Sequence, residues 1–205
     1  MMPPQKLRHR VLLAAAAVAT AGLLAACGTD DTGDDHSAHN GAGHSQGAGD
    51  APTSVTADAN SADVEFATMM IPHHAQAVEM ADLVPSRTQN AWLLGFAQKV
   101  KDAQQPEIDQ LTEALKAWDQ PVPDEHAEHE MDGMMTAEEM THLESLSGDD
   151  FDKEWITMMI AHHRGAVDMA KAELDKGENP EMRGLAQQII DAQQAEISEM
   201  EQQLK

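Results

Sequence analysis

Cysteine is almost absent from this chain: Cys27 is the only one in 205 residues. No intramolecular disulfide can form and no thiolate cluster can hold a metal, so the fold is held by its core or by other ligands. Tyrosine is missing and phenylalanine numbers three. Positive charge is scarce, with 13 Lys and Arg against 36 Asp and Glu, a formal charge of −23. That field repels phosphate backbones and attracts cations, which argues against a nucleic-acid partner. An acid-rich surface also serves plain solubility. There is no Gly-x-Ser-x-Gly elbow, no glycine-rich phosphate loop and no cysteine placed as a nucleophile, so nucleophilic catalysis finds no support. No run of strand period competes with the helical patterns described below.

What is present begins with an address. Lys6, Arg8 and Arg10 precede an apolar stretch, Val11–Leu24, that is short for a membrane span and lacks a stop-transfer pattern. Residues 1–26 therefore read as a secretion signal. It ends in Leu24-Ala25-Ala26-Cys27, which resembles the bacterial lipobox. The resemblance implies cleavage before Cys27 and lipidation of its thiol and new amino group. The mature chain is then expected at the outer face of the cytoplasmic membrane or in the periplasm or cell envelope. Residues 27–60, rich in Gly, Asp, Ser, Ala and His, cannot bury a core and are expected to form a disordered tether. His36, His39 and His44 in it either collect metal loosely or belong to a plain polar linker.

Helical signals start near Asn60 or Ser61, with Asp63 and Glu65 in the first turn. Phe66, Met69, Met70, His73, Ala77, Met80, Ala81 and Val84 then recur at three- and four-residue spacing. Pro72 is expected to kink this helix and Pro85 to mark its end. A second helix is expected from about Thr88 to Trp118. The connector, residues 119–150, carries His126, His129, Met131, Met134 and Met135, and a capping box, Thr136 with Glu139, opens a short helix to about Leu146. Ser147-Gly148-Asp149-Asp150 offers caps for a third long helix, about Phe151–Lys176, closed by Gly177. A fourth long helix runs from Glu181 to the terminus.

A shift of 89 positions aligns residues 63–116 with 152–205 without a gap, 24 of 54 being identical. Each copy is a helical hairpin with one apolar face. Two such faces can cover each other, so the expected fold is all-α: a four-helix bundle over residues 61–205, built from two repeated hairpins with a short helix in the connector.

The phrase MMIPHHAQAVEMA (Met69–Ala81) answers MMIAHHRGAVDMA (Met158–Ala170). At 100° per residue Met69, His73 and Met80 share one strip, and Met70 and His74 a neighbouring strip nearer its edge. Met158, His162 and Met169, then Met159 and His163, repeat the arrangement. Thioether and imidazole together suit copper, especially Cu(I), better than zinc, magnesium or calcium. Only Glu139–His142 has the Glu-x-x-His spacing of a di-iron bundle, which sets that chemistry aside. The competing reading is packing, since methionine at helical spacing commonly fills cores. Against it stand the twofold recurrence of paired histidines and 14 methionines. His73 and His162 are favoured as inward ligands. His74 and His163 serve as second-site ligands, hydrogen-bond partners or rim residues. The repeated Asp-Ala-Gln-Gln (Asp102–Gln105, Asp191–Gln194) either orients the histidines across the bundle or forms a solvated face.

The phrase MMI-x-HH-x-x-A-V-x-M-A, its recurrence, GMMTAEEM (Gly133–Met140) and the acid-rich lead-in to Trp155 resemble the domain of unknown function 305 family. The resemblance covers about Ser61–Lys205. It implies a ferritin-like helical bundle, exported in bacteria, some members of which bind copper in the periplasm. Its carry-over rests on Met69, Met70, His73, His74, Met80, Met158, Met159, His162, His163 and Met169. The reading is thus a lipid-anchored copper protein for buffering, resistance or delivery. Its alternative is a non-metal interaction module or self-associating bundle, whose apolar stripes receive an envelope protein or a second copy. Replacement Cys27→Ser is expected to move the protein from the membrane to the soluble fraction on fractionation. Retention in the membrane would show that no lipid on Cys27 anchors it.

Overall fold

The computed structural model describes residues 58–125 and 131–205. The leader, Cys27, the tether as far as residue 57 and the connector histidines His126 and His129 lie outside the described residues. Among the described residues five helices follow in order: α1 (Ser61–Arg87), α2 (Ala91–Ala117), α3 (Ala137–Ser145), α4 (Gly148–Lys176) and α5 (Pro180–Gln203).

Asparagine sets three of the starts, because its side-chain oxygen satisfies N–H groups that a first turn leaves unpaired. Asn60 Oδ1 accepts from Ala62 and Asp63 at 2.8 and 3.1 Å, while Asp63 returns a bond to the Asn60 N–H at 2.7 Å. Asn90 accepts from Trp92 and Leu93, and Asn179 from Glu181 and Met182. The second helix therefore begins at Ala91 rather than Thr88, whose hydroxyl instead accepts the Asn90 N–H at 3.0 Å. The Thr136–Glu139 capping box forms as expected. Ser147 occupies the cap of α4 without a side-chain bond, and that helix opens at Gly148, ahead of the expected Phe151. α1 runs unbroken through Pro72 and continues to Arg87, two residues past Pro85. Packing on both flanks holds a turn in place even where one N–H donor is missing.

One apolar cluster gathers the C-terminal half of α1, the N-terminal halves of α2 and α4, Met140 and Leu143 of α3, and Met200 of α5. A second gathers the N-terminal half of α1, the C-terminal halves of α2 and α4, and the start of α5. Spatial neighbours are therefore antiparallel: α1 lies beside α2 and α4, and α5 beside α4. Across the remaining edge Trp92 Nε1 donates to Glu199 at 3.3 Å, and Lys99 Nζ lies 3.3 Å from Glu199 and 3.5 Å from Glu196. The chain from α2 to α4 must travel from one pole to the other, and α3 caps the far cluster at its end. This is a four-helix bundle of two hairpins with one long crossover.

The two poles differ. Asp63 accepts from the backbone N–H groups of Glu178 and Asn179 at 3.1 and 2.9 Å, tying the start of α1 to the α4–α5 turn. Burial alone would raise the Asp63 carboxyl, but the N–H groups of Asn60, Asn179 and Glu178 outweigh it and hold it below 3.8. Beside it Glu173 is 1% exposed, in space left by Gly177, where a Cβ would overlap its carboxyl group. Burial pushes Glu173 up to about 8, the Asp63 charge adds to the rise, and Arg183 opposes it.

The folded chain thus keeps a proton on Glu173 that the unfolded chain releases near pH 4.5. The stability tied to that proton is complete below pH 4.5 and is lost as pH rises through 8, with a slope of at most about 1.4 kcal/mol per pH unit. Replacement Glu173→Gln is expected to leave stability unchanged near pH 4 and to gain on the parent steadily between pH 5 and 8 in denaturant titrations. Parallel curves for the two proteins would mean that Glu173 is ionised in the fold.

Candidate metal centre

The two copies of the repeated phrase meet where α1 crosses α4. His73 and His162 are in ring contact there, centroids 3.8 Å apart and planes inclined by 42°. His74 lies 6.5 Å from His73, and His163 lies 6.4 Å from His162. All four rings are fully buried. On every long helix this polar layer falls between the two apolar clusters.

Burial disfavours the imidazolium and holds His73 down at about 3, with His74 and His163 adding to the effect and the Asp132 backbone opposing it. His162 is lowered well below 6.5 by burial and then by His73, His163 and His74. His163 is lowered by burial despite the Glu196 carboxylate. Neutral imidazole is the form that ligates metal. The Asp132 backbone lies near the His73 ring and the His73 backbone near the His162 ring, but by distance and angle neither ring nitrogen of His73 or of His162 makes a hydrogen bond. Four such buried atoms at one helix crossing need an explanation, because unpaired buried polar groups are few in native folds.

His74 and His163 differ from the other pair. His74 Nε2 lies 2.7 Å from Glu107 Oε2 on α2, and His163 Nε2 lies 2.8 Å from Glu196 Oε2 on α5. Each pair therefore sits inside its own hairpin, so His74 and His163 are hydrogen-bonded and interior. Burial would raise Glu196, but His163 and Lys99 outweigh it and hold it below 4.5. The sequence reading did not single out these glutamates, although each recurs three residues after a repeated glutamine. Gln104 and Gln193 are buried with both amide atoms unpartnered. Asp102 and Asp191 accept from Gln98 and Gln187 on exposed faces. The Asp-Ala-Gln-Gln motif is thus divided: its first residue is solvated and its third faces the core.

Among the methionines, Met70, Met80 and Met159 are fully buried and Met158 is nearly so, while Met69 and Met169 are half-buried. Met70 and His74 are thus core residues rather than stripe-edge ones. α1 is covered by α2 on one side and α4 on the other, which moves the centre of its buried arc towards them.

The crossover passes over this layer. Gln76 grips the Met135 backbone at both ends, its amide donating to the carbonyl at 2.8 Å and its oxygen accepting the N–H at 2.7 Å. On α4 the crossover seats on glycine. Gly133 has φ +87, and a Cβ there would lie 2.8 Å from the Ala161 carbonyl; a Cβ on Gly165 would overlap the Asp132 carbonyl. Met131 and Met134 are half-buried in the turn that results.

Among the described residues no three His, Cys, Asp or Glu side chains converge on one metal-sized point. Zinc and hard cations, which want four or more N, O or thiolate donors, find no cage of that kind. The donors that are at hand are neutral imidazole nitrogens and thioethers. This set fits a soft ion of low coordination number.

The model of the domain of unknown function family DUF305 matches residues 63–204. A DUF305 protein from Streptomyces coelicolor, given as secreted, is 30% identical with TM-score 0.63, over 68% of this chain and 89% of that one. A DUF305 fragment from Deinococcus radiodurans is 33% identical with TM-score 0.65, over 72% of this chain and 97% of that one. CopM in its Cu(I)-bound form is 33% identical with TM-score 0.58, over 68% of this chain and 93% of that one. CopM structures with Cu(II), with silver and without metal match similarly. Among curated protein sequences none matches this chain.

The glycine seat yields a direct test. Gly165→Ala is expected to destabilise the domain by about 1–3 kcal/mol, since the Asp132 carbonyl must move away. Gly95→Ala and Gly184→Ala, at repeat-equivalent helical positions where a Cβ meets nothing within 4 Å, are expected to stabilise it by about 0.5–1 kcal/mol. Thermal or denaturant unfolding of the three variants checks both signs, and an unaffected Gly165→Ala protein would mean that the crossover does not rest on α4.

Proposed function

Because this chain belongs to the domain of unknown function 305 family, we propose that it is an exported, lipid-anchored protein that binds copper as Cu(I) through methionine and histidine. One observation carries the proposal: His73 and His162 meet on the repeat axis with four buried, unpartnered ring nitrogens, among methionines, in a chain similar to copper- and silver-bound CopM. The candidate ligands are Met69, Met70, His73, His74 and Met80, with Met158, Met159, His162, His163 and Met169. A soft monovalent ion bound there would replace the missing hydrogen-bond partners of the imidazoles. Burial keeps those rings neutral, so the ion need not displace a proton from His73 or His162.

The interaction-module alternative needs an exposed apolar face. Among the described residues only Val122 and Leu204 are exposed large apolar side chains, and they make no patch of the size that marks a docking surface. The stripes of both hairpins are consumed in the two apolar clusters. With the acid-rich surface drawing cations towards the chain, the role supported best is buffering or delivery of copper in the cell envelope.

A melt of the domain with and without Cu(I) under reducing conditions tests this reading. An ion that binds only the folded chain raises stability by RT ln(1 + [L]/Kd), about 2.7 kcal/mol at a hundredfold excess over Kd. His73→Ala and His162→Ala are expected to shrink that shift while leaving the metal-free melt little changed. Loss of about 1–3 kcal/mol in the metal-free variants, with copper moving nothing in the parent, would mark the histidines as packing residues.

A further inference from the structure

A neutral imidazole carries one N–H and one lone pair, and the groups around it decide which nitrogen has which. An ionised carboxylate only accepts. The nitrogens facing one are Nε2 of His74, 2.7 Å from Glu107, and Nε2 of His163, 2.8 Å from Glu196. These nitrogens therefore hold the hydrogens, and Nδ1 of each ring is left as a lone pair. Both rings are fully buried and neither Nδ1 has a partner. His73 and His162, the pair that periodicity favours, have no such anchor on either nitrogen.

Resting on the copper reading above, we infer that Glu107 and Glu196 are positioning residues that lock His74 and His163 as Nε2–H tautomers and so leave the Nδ1 of each ring as a nitrogen donor for a soft ion. Three observations carry this. The pairs arise at the same separation of 33 residues in both repeats, in hairpins that are otherwise only partly identical. A histidine that donates its second N–H to a carboxylate while the other nitrogen stays free is the recurrent arrangement of metal ligands, because the carboxylate fixes the ring and raises its basicity. Met70 and Met159, both fully buried, stand four residues before His74 and His163, which places thioether and imidazole on one helix strip. The amides of Gln104 and Gln193 lie buried and unpartnered in the same layer.

The test uses the mature chain labelled with 15N at histidine. Long-range 1H–15N spectra of the metal-free protein are expected to show His74 and His163 with hydrogen on Nε2, and Cu(I) added under reducing conditions is expected to shift their Nδ1 signals and spare Nε2. Glu107→Ala with Glu196→Ala should mix the tautomers and weaken Cu(I) binding by about 10–100-fold in competition with a chelator. Glu107→Gln with Glu196→Gln keeps an accepting oxygen and should recover most of that loss, which a merely structural role would not predict. If the parent binds Cu(I) while both Nδ1 signals stay fixed, or if the alanine variants bind as tightly as the parent, the assignment is overturned and the copper reading stands. If the parent binds no Cu(I), both fall. The spectra of the parent need no substitution, so a variant that fails to fold does not remove the test.

Discussion

Four imidazoles are buried at one helix crossing, and much of the architecture follows from keeping them there. A cation in that layer would lose its hydration with little to replace it, which holds His73, His162 and His163 below the usual imidazole range. Neutrality lets His73 and His162 approach to 3.8 Å between centroids where α1 meets α4. Ala67, Ala77, Ala166 and Ala170 are fully buried on the same two helices. The hairpin partners α2 and α5 complete the layer by supplying Glu107 and Glu196, each reaching in from a helix that hardly touches the other copy's histidines.

The repeat makes this arrangement nearly symmetric, and the crossover breaks it at identifiable places. Gln76 in the first copy corresponds to Gly165 in the second, and Pro72 corresponds to Ala161. These are the positions that meet the crossover: the glutamine holds the Met135 backbone, the glycine admits the Asp132 carbonyl, and the Ala161 carbonyl faces Gly133. One strand of chain cannot lie across a twofold axis and treat both sides alike. The same logic applies at the poles, where Val84 and Thr88 of the first copy are Glu173 and Gly177 in the second. Only the second pair makes a buried carboxyl and the space to hold it. Divergence between the copies is therefore informative, since it marks surfaces that only one hairpin has.

The chemistry of the centre is that of few, soft and uncharged donors. Thioethers and neutral imidazoles suit a soft ion and need little electrostatic help, and most acidic residues lie outside this layer. Glu107 and Glu196 reach this layer and lie against His74 and His163. CopM, whose structures hold copper or silver, is similar to this chain over 68% of its length.

Much of this was legible in the residues alone. The 89-residue shift and the three- and four-residue apolar spacing determined two helical hairpins and hence a bundle, because an amphipathic hairpin has nowhere else to bury its face. The Thr136–Glu139 box and the asparagines before α1, α2 and α5 are local signals, although Asn90 outranked Thr88 through a bond no periodicity reveals. The histidine pairs were visible as candidates because they recur. Their division of labour was not. Which of two adjacent rings meets its symmetry mate and which meets a glutamate depends on the crossing of α1 with α4 and on the register of each hairpin. Residues 33 apart come within hydrogen-bond reach only once that register is set. Helical spacing placed Met70 and His74 at the edge of a stripe. Two flanking helices made them core, because a wheel describes one helix and burial is decided by its neighbours.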